Sequence, residues 1–538
     1  MKKTFLTIAL VIAAIPSQAQ TIYDALLFSE RNEEGTARTI AMGNAFTALG
    51  GDLGSIGLNP AGSAVANYSQ FALTPALSVV TNTAQGASPY ADGYLPYFEK
   101  EYKNTASHFS IPNLGITFNW ETGRSYGLKN VTFGFVVNRA NSWNEDVFAA
   151  GRNSTTSYMG AMAVEATELG LLGNNLNMSN AYDYDPWKYV VGYQSGMIST
   201  FGNRNDQFVG ASEILFDKNG NTEIALGGPL DQTYGRRVRG SKNDYLINLG
   251  FNISDFLYIG ANVGITSMNY EFDEYFKEAA VDPSNFVIEL QDGRTIYFDQ
   301  MKYKYSYSAN NSGVYGKLGF ILTPGGGFRI GAAIQTPTAT SVNEYWQMSG
   351  ETTYTDNGFN ASASSPQGED YYRFREPWRA NFGLAYTMGR FGALSVDYEL
   401  CDYSAMKFKR DGFDDGREYF LDLNDEIKSA FGYSQMLRAG LELKPTENFA
   451  IRAGYGLTTA PELIELPATQ NASFGLGYSS DRSFFADIAC RYAFATDEYI
   501  MPYNDYMYDA EGYVTDYAPE IRNTKNAWKV LLTLGWRF

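Results

Sequence analysis

The sequence predicts an all-β transmembrane antiparallel barrel of fourteen strands, with an N-terminal plug in its lumen. Three observations predict it. Aromatic residues make up 15% of the 538-residue chain (40 Tyr, 35 Phe, 7 Trp) while charged residues make up only 19%, and 53 glycines accompany them. Segments along the chain alternate apolar and polar residues with period two, and the links joining them alternate between short and long. A barrel in lipid needs this mixture: aromatics for the interface girdles, glycine where strands curve, and polar side chains inside.

Residues 1–19 read as a signal peptide. Lys2 and Lys3 form a basic start, Thr4 to Ile15 is uncharged and largely apolar, and Ser17 and Ala19 put small residues at −3 and −1 of a cut before Gln20. The apolar run is too short for a membrane helix, which needs ~20 residues. Without Lys2 and Lys3 the 41 basic side chains fall to 39 against 59 acidic ones, a net charge of −20. That balance excludes nucleic acid as a partner, because its binding requires basic patches. Cys401 and Cys490 are the only cysteines, so an exported chain of this length is no disulfide scaffold and carries one bridge at most.

The barrel is expected over residues 69–538. In its last segment Trp528, Val530, Leu532, Leu534, Trp536 and Phe538 alternate with Lys529, Leu531, Thr533, Gly535 and Arg537. Period two puts one set on each face of a strand. Segments of the same kind fall at 69–83, 105–121, 128–145, 237–253, 257–274, 303–323, 328–347, 371–389, 391–410, 435–445, 448–461, 468–480, 483–503 and 526–538. Short links such as Ser254-Asp255-Phe256, Gly389-Arg390 and Asp481-Arg482 alternate with long ones, the longest from about 146 to 236, as periplasmic turns and outer loops do. By parity Arg379, Arg438, Arg452 and Arg491 face the lumen, together with Asp397, Glu399, Glu442 and Asp487. On the lipid face at mid-depth each charge would cost ~2–4 kcal/mol.

The loops carry structure of their own. Asn219-Gly220 and Asp292-Gly293 are hairpin signals. Residues 156–172 space Tyr158, Met162, Val164 and Leu169 as one helical face, either a landing surface for a greasy ligand or a packing face against neighbouring loops. Arg237 and Arg239 point outward at the top of the fourth strand, where they suit lipopolysaccharide phosphates or pair with loop acids. The acidic run Asp411 to Gly416 misses calcium-loop spacing.

Residues 20–68 do not alternate. Glycine and alanine are dense there, which suits tight packing in a confined space, and Pro60 fixes a turn or helix start. These residues are read as a plug. The run GNAFTALGGDLGSIGLNPAGSAV, from Gly43 to Val65, resembles the N-terminal hatch of the FadL-like outer-membrane transporters for long-chain fatty acids and aromatic hydrocarbons. With fourteen strands and a terminal Phe538, the resemblance covers the whole chain after residue 19. It implies passive uptake by lateral diffusion: a hydrophobic substrate enters a pocket above the hatch and leaves through a gap in the wall near the third strand. The matching positions are Gly43, Ala45, Asp52, Ser55 and Asn59 to Gly62; gating roles are expected for Gly43, Phe46, Asp52, Asn59, Pro60, Ala61 and Gly62, with Phe46 in the pocket wall.

The third strand departs from the family pattern. Val131 to Val137 contain no proline, and the candidates for a break are Pro75 and Pro112 in its neighbours and Asn138 in its upper part. Proline cannot donate to a strand ladder. His108 is the only histidine. Without a second ligand-type residue placed beside it, no metal, no cofactor and no Ser-His-Asp enzyme are expected. The expected partners are a hydrophobic small molecule, outer-membrane lipid and lipopolysaccharide, with the chain acting as a monomer. The alternative function is that of a FadL-like barrel serving as a scaffold or shuttle subunit in protein secretion.

Overall fold

A computed structural model describes residues 20–87, 98–202, 204–218, 221–290, 292–410, 415–464, 466–480, 483–508 and 514–538. Residues 1–19, read as a signal peptide, the Asn219-Gly220 hairpin signal, Asp411 to Asp414 and the expected short link Asp481-Arg482 lie outside the described residues.

Fourteen antiparallel strands close into a barrel. They are β1 (Gln70–Ala87), β2 (Tyr102–Glu121), β3 (Leu128–Asn153), β4 (Leu230–Ile253), β5 (Leu257–Ala280), β6 (Thr295–Gly325) and β7 (Phe328–Gln335, resuming as Ala339–Tyr354). The circle continues with β8 (Gly368–Arg375, resuming as Arg379–Thr387), β9 (Gly392–Asp402, with Lys407–Lys409), β10 (Tyr433–Leu443), β11 (Phe449–Thr458), β12 (Thr469–Ser479), β13 (Phe484–Ile500) and β14 (Glu520–Arg537). β14 pairs back onto β1 from Gln70↔Arg537 to Ala87↔Glu520, so no edge is left at the seam.

Each segment expected from the alternation is a strand, but several extend further. β3 continues to Asn153, and β6 starts at Thr295. The reason is that apolar alternation marks only the lipid belt. On β4 the outward side chains are Tyr245, Ile247 and Leu249, all exposed; above them Arg237 and Arg239 continue the same face. The ladder runs on through these polar positions, and β3 to β7 rise above the belt to carry the long loops. Breaks within β7 and β8 fall at Pro337 and Pro377, where a ladder donor is missing. At the opposite end the turns are tight. Ser254 and Asp255 both take positive φ, 57° and 55°, left-handed backbone within the three-residue turn between Ile253 and Leu257.

The outer loops form a cap around one buried cluster. The helix Tyr158–Glu168 contributes Met159, Met162, Ala163 and Ala166, all buried. Of the face read from sequence, Tyr158 and Met162 are buried in this cluster and Val164 packs against it, while Leu169 is 49% exposed, so most of that face packs against neighbouring loops. A second cluster joins the helix Ile22–Ser29 to the helix Asp415–Ala430 through Phe28, Phe420, Leu423 and Ile427. Period-two reading missed both helices, although Phe420, Leu423 and Ile427 have helical spacing. Cys401 and Cys490 are both free, on β9 and β13, so the one bridge the sequence allowed is not formed.

Candidate functional site

Residues 20–68 fill the lumen and are tied to strands all round it. Ala37 N–H donates to Thr533 Oγ1 (2.7 Å), Thr47 N–H to Asp397 Oδ2 (2.7 Å) and Arg38 Nε to Glu442 Oε2 (2.9 Å). Lys317 Nζ donates to Gly57 O (2.7 Å), and Ser473 Oγ to Ala41 O (3.2 Å). Glycines on the wall allow this approach: a Cβ at Gly454 would lie 2.1 Å from Gly43 N.

Within the plug, Asp52 accepts from Gly54 N (2.9 Å) and Thr36 Oγ1 (2.7 Å), capping the short helix Leu53–Ile56. Asn59 caps Pro60–Val65 through Ala61 N (3.1 Å), and its amide donates to Thr47 O (2.7 Å) and Phe320 O (3.0 Å). Pro60 stands at the first position of that helix, where its missing N–H costs nothing. Gly43 takes φ +63°. Ala61 is fully buried, and Gly62 packs on Ser55 and Gly50. Phe46 corrects the expectation placed on it. It is fully buried among Met42, Leu49, Leu58, Ala385 and Ala393, under the Arg38 guanidinium, and forms no part of the pocket wall. The pocket floor is Glu30 to Glu33 with Ile40, Gly43 and Asn44.

The lumen charges form a neutralising network on the wall. Arg452 bridges Glu442 (2.6 Å) and Asp487 (2.5 Å). Arg379 reaches Glu399 (3.3 Å) and donates to Ser29 O of the plug (2.6 Å), while Arg438 also pairs with Glu399. Arg491 donates to Asn32 Oδ1 (3.2 Å). Buried charges need such partners.

Above the plug lies a cavity of about 2190 Å³. Its lining mixes aromatic groups (Trp143, Trp187, Phe272, Tyr303, Tyr305, Trp346) with charged ones, among them Arg236, Glu274, Glu399 and Lys529. From the cap helix, Tyr158 and Glu165 reach it. His108 stands at its rim, and among the described residues no group of three or more metal-ligating side chains forms.

The wall beside this cavity is split. The β2–β3 ladder runs from Glu121↔Asn130 up to Asn113↔Asn138 and stops there. Above it β2 stays paired with β1 as far as Tyr102↔Ala84, and β3 with β4 as far as Asn153↔Leu230. Pro112 lies just past the last rung. Pro75 sits in the β1–β2 register shift between Thr74 and Ala76, and Asn138 Oδ1 accepts from Asn113 Nδ2 (2.6 Å). The gap borders the lipid belt, since Phe109 and Ile111 point outward, 66% and 48% exposed. At its top Tyr102 and Phe148 meet edge to face at 5.0 Å. The freed β3 edge is occupied by the plug: Asn32 N–H donates to Ala140 O (2.7 Å) and Glu34 N–H to Arg139 O (2.8 Å). Glu34 also pairs with Lys529 and accepts from Ser142 Oγ (3.1 Å). Nothing in the sequence marked Asn32–Glu34, because such an edge contact exists only once the wall has opened. Arg239 pairs with Asp146 on β3 (2.7 Å), the ion-pair alternative of the two read from sequence, whereas Arg237 is exposed.

Neither a family model nor a curated protein sequence matches the chain. Among solved structures it is similar to the P. putida toluene transporter TodX, with a TM-score of 0.51 and 11% identity over 94% of this chain and 98% of that one. It is also similar to a Pseudomonas aeruginosa FadL homologue, with a TM-score of 0.51 and 12% identity over 94% and 99%. At that identity the likeness establishes the fold, which is FadL-like.

Proposed function

We propose that the barrel is an outer-membrane channel for passive uptake of small hydrophobic molecules, long-chain fatty acids or compounds of similar character, which it releases sideways into lipid. The observation that carries this reading is one cavity touching the plug and both edges of the wall gap, His108 on β2 and Asn141 to Asn144 on β3. A molecule caught under the cap has a direct way to the outward apolar side chains beside β2. The mixed lining favours an occupant with an apolar body and a polar end. The fold shared with a toluene transporter supports the substrate class. Exit requires the Asn32–Glu34 segment to release the β3 edge. A ligand promotes that release only by contacting the held and released states differently.

The test has two readouts. Native mass spectrometry of the purified barrel should find lipid or aromatic ligands that survive detergent exchange. Cells making the barrel should take up a fluorescent fatty acid or a labelled aromatic faster than cells lacking it. A folded barrel that carries no ligand and leaves both uptake rates unchanged would abandon transport in favour of the scaffold reading.

A further inference from the structure

We infer that the α-ammonium of Gln20, released when the leader is removed, is the counter-ion of a buried acidic pocket that anchors the plug. Gln20 is 1% exposed. Its side-chain amide donates to Glu344 Oε2 (2.8 Å) and Asp370 Oδ2 (3.1 Å), and its carbonyl accepts from the Tyr419 hydroxyl. The next residue carries a third acid, as Thr21 N–H donates to Asp24 Oδ2 (2.7 Å). Three carboxylates thus converge on the first two residues after the leader. Of these, Asp370 pairs with Arg410. Among the described residues no cation pairs with Asp24 or Glu344, and Glu344, 1% exposed, is held only by neutral donors, Gln20, Tyr307 (2.8 Å) and Tyr372.

A buried carboxylate without a cation is costly. Moreover, Gln20 Oε1 is enclosed there without a hydrogen-bond partner. While residue 19 is attached, the nitrogen of Gln20 is an amide with one N–H and no charge. After cleavage it is an ammonium, with three donors and one positive charge near neutral pH. The small residues Ser17 and Ala19 place the cut before Gln20. Removal of the leader therefore supplies the missing charge where the acids already stand, and docks the helix Ile22–Ser29 under the strand tops. The proposal rests on the reading of residues 1–19 as a leader, and not on what the barrel transports.

N-terminal sequencing and intact mass of the purified outer-membrane protein should give a chain starting at Gln20 with its amine free. An aldehyde reagent selective for α-amines should label it slowly in the folded barrel and rapidly once heat-denatured. In a folded Asp24→Asn, Glu344→Gln variant, labelling should accelerate by at least about a hundredfold, the scale of breaking a buried ion pair. Gln20→Ala keeps the amine and should keep its protection. A chain starting elsewhere would overturn the cleavage reading and the anchor with it. A chain starting at Gln20 that is lighter by one ammonia has lost its amine to cyclisation, and overturns the anchor alone. Equal labelling rates in folded and denatured protein also overturn the anchor alone.

Discussion

Asn59 shows how much one side chain holds. Its oxygen caps Pro60–Val65 while its amide ties two carbonyls, one within the plug and one on β6. Asn59→Ala leaves those groups without partners, at ~1–3 kcal/mol for each one that stays dry. The strands do not depend on it, so the barrel should assemble with normal heat-modifiable gel mobility. Combined with Pro60→Ala it should change hydrophobic tracer uptake severalfold and raise ion leak in planar bilayers. Unchanged traffic in a folded double variant would reduce the motif to a structural filler. In the cap, burial pushes the Glu213 carboxyl up to about 7, although it accepts from Gly210 N–H (2.8 Å). A raised carboxyl disfavours the folded cap as pH climbs. The cost is absent below the ordinary value of 4.5, grows between 4.5 and about 7, and is constant above. Hydrogen exchange across residues 157–212 should therefore quicken over that window, and Glu213→Gln should flatten the response.

Among the elements, β2 and β3 differ from the rest of the wall by a missing half-ladder. Pro112 cannot donate where the ladder would continue, and the plug fills the β3 edge instead. Pro112→Val restores a donor. It should let β2 compete for that edge, slow lateral exit severalfold and leave assembly intact, as tracer uptake and gel mobility together would reveal. Equal uptake in a folded variant would mean that the proline does not set the gap. Glu34→Gln removes the buried partner of Lys529, a loss on the scale of ~3–5 kcal/mol. The plug strand should then leave β3 more often, seen as faster exchange of the Asn32 and Glu34 amides.

The whole molecule is a wall whose lumen charges pair largely with one another, and a plug that supplies further partners, Glu34 to Lys529 and Arg31 to Asp244. Arg452 with Glu442 and Asp487, and Arg379 and Arg438 with Glu399, are pairs made within the wall. Deleting residues 20–65 behind an intact leader should thus give a barrel that still inserts, because the pairs the wall needs remain and water can solvate the rest. That barrel should conduct ions steadily, and failure to insert would assign the plug a part in assembly. Arg452→Met strands the buried Asp487 and leaves Glu442 to Arg38 alone, and it should lower the unfolding temperature of the folded barrel.

Alternation by itself determined the strands, their order and which charges face inward, because period two is a local property that lipid on one side and a crowded lumen on the other impose on each strand separately. The Asn-Pro pair at 59–60 and the small residues around it marked the plug for the same reason: capping and close approach are written in the residues that perform them. The upper reach of β3 to β6 was hidden, since above the belt the outward face turns polar while the ladder continues. The helices Ile22–Ser29 and Asp415–Ala430 were hidden by a search for the wrong period. Tertiary structure alone decided that Phe46 serves the plug's core, at which of the candidate positions Pro75, Pro112 and Asn138 the wall parts, and that Glu34 takes the edge left free. Each of those depends on which surfaces meet across hundreds of residues of chain, and only the closed barrel brings them together.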